Sequence, residues 1–167
     1  MFARWTLALC LLTAGQALAA PGLEPGATVA FLGIHLADKS VDMAHAGGTE
    51  ADLARVALLE QTVRDRLVAE GMASVDLAPV AGTLARTSNP ARCNGCDIRM
   101  GQSLGARYVM EGEMQKITDR MLLLNVLIRD TTDGTMVRGR SVNIRENTDD
   151  GWLRGLRYVL DNGIFKD

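Results

Sequence analysis

The chain has 167 residues, 47% of them hydrophobic, and a formal net charge of -2. This length and apolar content fit a single domain with a substantial core. A slightly acidic chain has no basic excess to hold phosphate backbones, so the composition argues against a nucleic-acid partner.

The first residues predict export. Arg4 precedes an apolar run, and Ala17-Leu18-Ala19 is a small-x-small cleavage signal, so residues 1–19 are predicted to be a signal peptide that is removed. The run is shorter than the roughly 20 residues that a membrane span needs. Residues 20–26 then form a short lead, and residues 27–167 form one domain located in the periplasm.

The cysteine count agrees with that compartment. Of the 3 cysteines, Cys10 leaves with the signal peptide, and Cys93 and Cys96 remain. Disulfides persist outside the cytosol, so these two are predicted to be bonded to each other.

The first half of the domain predicts alternating strands and helices. Residues 27–38 form a β-branched apolar run typical of a buried strand. Thr49 is a predicted N-cap, with Asp52 three residues later and a helix that runs to Gly71. Its predicted core-facing residues are Leu53, Val56, Leu59, Val63 and Leu67, and its predicted solvent-facing residues are Glu50, Arg55, Glu60, Arg64 and Glu70.

A second strand is predicted over residues 72–80, followed by a long connection in which one helical turn can lie, and then by a short helix over 97–104. Three strands over residues 106–117, 120–130 and 135–145 follow, separated by short turns that predict antiparallel hairpins. We interpret their methionines as core residues rather than metal ligands: Met110, Met114 and Met121.

A last helix is predicted after its N-cap Thr148, with an apolar stripe from Trp152 to Leu160. The predicted order is β-α-β-α-β-β-β-α. Two crossovers followed by a meander describe an α/β (α+β) fold, an open mixed sheet of about five strands covered by helices.

Residues 100–137, "MGQSLGARYVMEGEMQKITDRMLLLNVLIRDTTDGTMV", resemble the helix, strand and hairpin of the TolB amino-terminal domain and of CsgG-like periplasmic proteins. With "CNGCD" and "DDGWLRGLRYVL", the whole chain also resembles a family of small exported bacterial proteins known as a domain of unknown function. That family is associated with quinoprotein alcohol dehydrogenase systems. The resemblance brings no catalytic residues with it.

Residues 101–105 match the G-x-S-x-G pattern of hydrolases, but their context does not fit. The hydrolase motif requires a strand before the serine and a histidine after it. Ser103 lies near the end of a predicted helix, and both histidines, His35 and His45, precede it. The pattern therefore favours a helix that ends at Gly105.

Four chemistries can be considered for Cys93-x-x-Cys96. Covalent haem attachment requires histidine at position 97, where Asp97 stands. A thioredoxin-type centre remains an alternative, although Asp97 disfavours a thiolate. Metal binding also remains an alternative, with further ligands from Asp42, His45, His35 or the methionines. A structural disulfide that shapes the loop is our favoured interpretation, and Asn94-Gly95 suits the left-handed backbone of a tight ring.

The sequence thus predicts an exported, non-catalytic accessory module that binds a periplasmic protein or a small ligand. Both long loops, 38–48 and 86–97, leave from the carboxyl ends of predicted strands, where open α/β sheets bind ligands. We predict no catalytic, cofactor or metal residues, and name a quinoprotein dehydrogenase system as a candidate partner. The predicted contact residues in the loops are Asp42, His45, Arg92, Asn94 and Asp97.

Overall fold

The computed structural model describes residues 22–38 and 48–166. This part of the chain contains five strands and four α-helices: the predicted order is kept, and one short helix, residues 81–86, is added to it. The strands are β1 (Thr28–Asp38), β2 (Ala73–Ser74), β3 (Tyr108–Lys116), β4 (Leu122–Asp130) and β5 (Met136–Ile144). The helices are α1 (Glu50–Ala69), α2 (Ala81–Arg86), α3 (Cys96–Ser103) and α4 (Asp149–Val159).

The strands form one mixed sheet in the order β2-β1-β3-β4-β5. Strand β1 is parallel to both β2 and β3, whereas β3, β4 and β5 are antiparallel neighbours. This arrangement confirms the predicted open mixed sheet. None of the helices in the described part of the chain has the length and apolar character needed to span a bilayer.

Helices α1 and α4 cover one face of the sheet and bury the main core. Trp152 and Leu156 of α4 and Leu59 of α1 are fully buried there, against Met110 of β3 and other strand residues. Thr49 caps α1 with the predicted capping box, and Thr148 caps α4 by accepting a hydrogen bond from Gly151 N. We call this side of the sheet the helical face.

The opposite face is covered only in part. Residues from the segment between β2 and β3, among them Val80 and Met100, pack there against Ala30, Leu32 and Val109 of β1 and β3. Beyond β3, towards the β5 edge of the sheet, β4 alternates buried and half-buried residues, and β5 is mostly exposed. The second layer therefore ends over β3, and the outer two strands keep an open face.

The structure corrects the predicted second strand and the predicted burial of two residues. The strand predicted over 72–80 is only two residues long, because Asp76 accepts a hydrogen bond from Ala78 N and the chain turns into a 3-10 turn at Ala78–Val80. Leu53 is 54% exposed, since the buried position in the first turns of α1 is Asp52. Met121 is 50% exposed because it lies in the turn before β4, bonded to Ile117 and Thr118.

Glu60 was predicted to face solvent, but its Oε1 accepts a hydrogen bond of 2.9 Å from Ile34 N. This bond lies at an irregularity of the β1–β3 pairing between Phe31 and Ile34, where Gly33 has a φ of +94°. Glu60 thereby satisfies a backbone donor that the ladder leaves free.

Candidate functional site

A groove of about 700 Å³ lies on the open face of β3, β4 and β5. One wall is the segment 86–97, which we call the cysteine loop, and the floor is the sheet. Its side chains include Arg92, Glu111, Glu113, Asn125, Leu127 and Ser141. The volume is within the range of about 300–1,000 Å³ that is usual for ligand pockets.

Strand register brings the floor residues together. Glu113, Asn125 and Ser141 pair across the three strands, and Glu111 pairs with Leu127 in the next row. Because residues two apart on a strand point to the same face, both rows project away from the helical core. Ser141 Oγ donates a hydrogen bond of 2.5 Å to Asn125 Oδ1.

Glu113 is buried but fully partnered. Its carboxylate accepts hydrogen bonds from Asn89 Nδ2 at 2.8 Å, from Arg92 Nε and Nη2 at 3.0 Å each, and from Gln115 Nε2 at 2.7 Å. Burial alone raises the pKa of this carboxyl, but the bonds from Arg92 and Gln115 hold the pKa below its ordinary value. The bidentate contact with Arg92 also fixes the cysteine loop to the sheet.

Glu111, two residues earlier on β3, is in the opposite condition. It is 1% exposed, and neither of its carboxylate oxygens has a hydrogen-bond partner. Burial, with the nearby charges of Asp97 and Glu113, raises its pKa to about 8, against the opposing influence of Arg129. The floor of the groove therefore contains a buried carboxyl group that no described side chain satisfies.

The two cysteines of the cysteine loop lie close together. The Sγ atoms of Cys93 and Cys96 are 1.98 Å apart, at disulfide distance. Asn94 and Gly95 have φ values of +54° and +84°, which confirms the predicted left-handed backbone. Asp97 N donates to Cys93 Sγ at 3.2 Å, so the pair is continuous with the start of α3.

The structure separates the predicted contact residues. Arg92 is 61% exposed at the groove wall, and Asn94 is exposed beside the sulfur pair. Asp97 is instead 1% exposed and forms an ion pair of 3.2 Å with Arg129 Nη1, so its prediction as a surface contact is corrected. Asp42 and His45 lie outside the described residues.

His35, considered as a metal ligand, lies on β1 opposite Glu113. Burial lowers the pKa of its imidazole, as does the charge of Arg92, while Glu113 acts in the other direction. Within residues 22–38 and 48–166, no three His, Cys, Asp or Glu side chains are grouped closely enough to hold a metal ion.

Sequence reasoning missed Glu111 and Glu113. A signal was present, because the strand "YVMEGEMQK" places polar residues at 111, 113 and 115, in alternation with Met110, Gly112 and Met114. Three polar residues on one face of a strand whose other face is core indicate a second, polar environment. What the alternation did not reveal is that one of the two carboxylates has partners and the other has none.

The fold and the groove define the class of protein: an α/β domain whose mixed sheet is covered by helices on one face and carries a polar groove on the other. The chain belongs to the family described as Protein of unknown function (DUF2380), whose model DUF3280 matches residues 27–164. No curated protein sequence matches the chain.

Solved structures with the same fold are distant in sequence. The LpoB C-terminal domain from Salmonella enterica is 14% identical, with a TM-score of 0.53, over 76% of this chain and 88% of that one. A PelC dodecamer from Paraburkholderia phytofirmans is 15% identical, with a TM-score of 0.50, over 85% and 90% of the two chains. TolB from Acinetobacter baumannii also matches, at 13% identity and over 85% of this chain and 29% of that one, but its TM-score of 0.36 is too low to support an inference.

Proposed function

We propose that this protein is an exported, non-catalytic binding module whose contact surface is the groove together with the cysteine loop. The observation that carries this proposal is the groove itself, a concave surface of about 700 Å³ beside an exposed loop residue, Arg92. Loops held by a rigid sheet commonly carry binding functions. The predicted loop 38–48 remains part of the proposed surface.

The chemistry of the described side chains supports binding rather than hydrolysis. Ser103 is the last residue of α3, and its Oγ donates a hydrogen bond of 2.8 Å to Met100 O in the same helix. A serine held by its own helix lacks the base that activates a nucleophile. The hydroxyl of Ser141 is likewise bonded to an amide oxygen rather than to a base.

The periplasm is the proposed location, on the strength of the signal-like residues 1–19 and the cysteine pair at disulfide distance. The family resemblance makes a quinoprotein dehydrogenase system the first partner to test. A protein partner or a small ligand can occupy a groove of this size.

A periplasmic thiol oxidoreductase is the second candidate, because Cys96 is the first residue of α3, where helix amides favour a thiolate. The carboxylate of Asp97 disfavours a thiolate at the other cysteine, since its Oδ1 is 3.9 Å from Cys93 Sγ. A redox titration separates the two functions. A potential well below those of oxidoreductases fits a structural bond, and one among them fits the enzyme.

A metal-binding accessory role is a third candidate. Elemental analysis of natively purified protein tests it: a stoichiometric metal that is lost in His45→Ala and Cys96→Ser supports this role. Protein that carries no metal at the ratio of one ion per chain opposes it.

Site-specific photo-crosslinking in the native periplasm tests the proposed function. A photoreactive amino acid at Ser141, in the groove, should capture a discrete partner. The same residue at Asp65, exposed on α1, is the matched control and should capture nothing above background. Equal capture at both positions contradicts the proposal, and capture at neither contradicts its protein-partner form.

A further inference from the structure

We propose that the groove binds the guanidinium group of an arginine side chain on a protein partner, with Glu111 as its counter-charge. This inference rests on the proposed function, because it takes the groove as the contact surface. It adds the chemistry that the partner must present.

Three acidic side chains lie in or near the groove, and they differ in whether they have a cationic partner. Two of the three acidic side chains already have a cation: Arg92 contacts Glu113 at 3.0 Å, and Arg129 contacts Asp97 at 3.2 Å. Glu111 has no ion pair and no hydrogen bond within the described part of the chain. A cation from a binding partner can supply the ion pair that Glu111 lacks.

The hydrogen-bonding capacity of the floor points to a donor with two N–H groups. Both oxygens of Glu111 lack a partner, although the residue is 1% exposed and water reaches it poorly. Leaving such a group unsatisfied is unfavourable, and most of all when the group is charged. A guanidinium donates two parallel N–H bonds to a carboxylate, whereas an ammonium acts as a point charge.

The walls of the groove suit the rest of an arginine side chain. Leu127 is the cross-strand neighbour of Glu111, and the groove is also bordered by Ala91 and Met136. These apolar atoms can pack against a three-carbon stem, as the stems of long cationic side chains commonly do. Gly139, opposite Leu127 on β5, has no side chain of its own, and the side chain of Met136 packs over it.

We infer a protein rather than a free small cation because of the edge strand. In the sheet order β5 has a neighbour on one side only, and its residues 139–141 border the groove. An extended segment of a partner can lie over this edge while one side chain enters the groove.

Binding should be coupled to release of a proton. The pKa of Glu111 is about 8, so about one tenth of the molecules carry the ionised form at pH 7 and about nine tenths at pH 9. A guanidinium binds the ionised form and stays charged throughout this range, so affinity should rise about tenfold between these pH values. The other charged or titratable groups near Glu111 are Asp97 on α3, Arg129 on β4, Glu113 on β3, His35 on β1 and Arg92 on the cysteine loop.

The test uses two matched probes, Nα-acetyl-arginine N-methylamide and the citrulline analogue, which has the same shape without the charge. Calorimetry and NMR titration of the full mature chain should show saturable binding of the arginine probe, stronger at pH 9 than at pH 7. The citrulline probe should bind at least about tenfold more weakly, as expected for loss of a charge-assisted pair.

Two variants complete the test. Glu111→Gln keeps the shape of the side chain and should reduce binding of the arginine probe to the level of citrulline. Glu50→Gln, an exposed glutamate on α1, should leave binding unchanged. Equal binding of the two probes, no saturable binding of the arginine probe, or full binding by Glu111→Gln overturns the inference.

The same variant distinguishes this inference from the proposed function. If Glu111→Gln still captures the partner through a photoreactive residue at Ser141 at the wild-type level, the arginine inference fails and the binding module stands. If wild-type protein captures no partner at that position, the protein-partner form of the proposed function itself fails.

Discussion

Two carboxylates, Asp52 and Glu111, are equally buried, at 1% exposure each, yet their surroundings differ completely. Asp52, on the helical face, accepts hydrogen bonds from Thr49 and forms an ion pair of 3.3 Å with Lys116. Although burial acts to raise it, the pKa of Asp52 is lowered by these bonds. Glu111, on the open face, has no such bonds, and its pKa rises to about 8.

The degree of burial therefore does not determine whether a buried acid is charged or neutral. A carboxylate with internal partners stabilises the fold in its charged form, and one without partners is held neutral. The same strand, β3, carries both Glu111 and Lys116, the partner of Asp52. The buried carboxylate of the helical face thus has partners within the fold, and Glu111 in the groove has none among the described residues.

The largest expected effect is the pH dependence of stability contributed by Glu111. Its folded pKa of about 8 is above its ordinary value of 4.5, so the folded protein holds a proton that the unfolded chain releases. Stability should therefore decrease as pH rises from about 4.5 to about 8, by a total on the order of 4–5 kcal/mol, and then level off.

Chemical denaturation of wild type and Glu111→Gln from pH 5 to pH 9 measures this contribution. The variant should be close to wild type in stability at low pH and several kcal/mol more stable at pH 9. The exposed control Glu50→Gln should follow wild type at every pH. Parallel curves for wild type and Glu111→Gln would mean that Glu111 is not held neutral.

The second effect tests the partnered acid. Asp52→Asn removes the charge that faces Lys116, whose side chain is 8% exposed, and weakens the capping box of α1. We expect a loss of about 3 kcal/mol in the free energy of unfolding. Asp65→Asn, at an exposed position on the same helix, should change it by less than about 0.5 kcal/mol. Equal losses in the two variants would contradict a stabilising role for the buried, partnered carboxylate of Asp52.

The third prediction supplies Glu111 with an internal partner. Leu127 lies directly opposite it on β4, so Leu127→Lys places an ammonium beside the carboxylate. The pKa of Glu111 should fall by about 1–2, equivalent to about 2 kcal/mol. Leu123→Lys, on the same face but opposite Gln115, is the matched control and should leave the pKa near 8. NMR titration of the Glu111 carboxyl carbon measures its pKa in both variants. An unchanged pKa in Leu127→Lys would contradict the position of Glu111 opposite Leu127.

The smallest predicted change in stability concerns the cysteine loop, which forms one wall of the groove. If the sulfur pair is bonded, replacing both Cys93 and Cys96 by alanine should cost about 2 kcal/mol or less, because the ring is short. Wild type under reducing conditions should lose a similar amount. No change in either experiment would contradict a stabilising bond.

The fold was predictable because its signals are local and repeated. The alternation of Leu122, Leu124, Val126 and Ile128 predicted β4 and its buried face, and the caps Thr49 and Thr148 located two helix starts. The strand 72–80 was overestimated because a side-chain bond from Asp76 competes with the ladder, which an apolar pattern does not reveal.

The site was predictable only in part. The 86–97 loop was recognised from its cysteines, and Arg92 does border the groove. Asp97 was misplaced on the surface because its partner, Arg129, lies 32 residues away on another element. Glu111 and Glu113 are the same residue type on the same face, and what distinguishes them is that Arg92, Asn89 and Gln115 all reach Glu113.

The most direct test is an NMR titration of the Glu111 side-chain carboxyl in glutamate-labelled protein, assigned by the signal that disappears in Glu111→Gln. We expect a midpoint near 8 in the free protein. We also expect a lower midpoint once the arginine probe is bound, because a guanidinium stabilises the charged form. A midpoint near the ordinary value of 4.5, unchanged by the probe, would contradict an unpartnered buried acid in the groove.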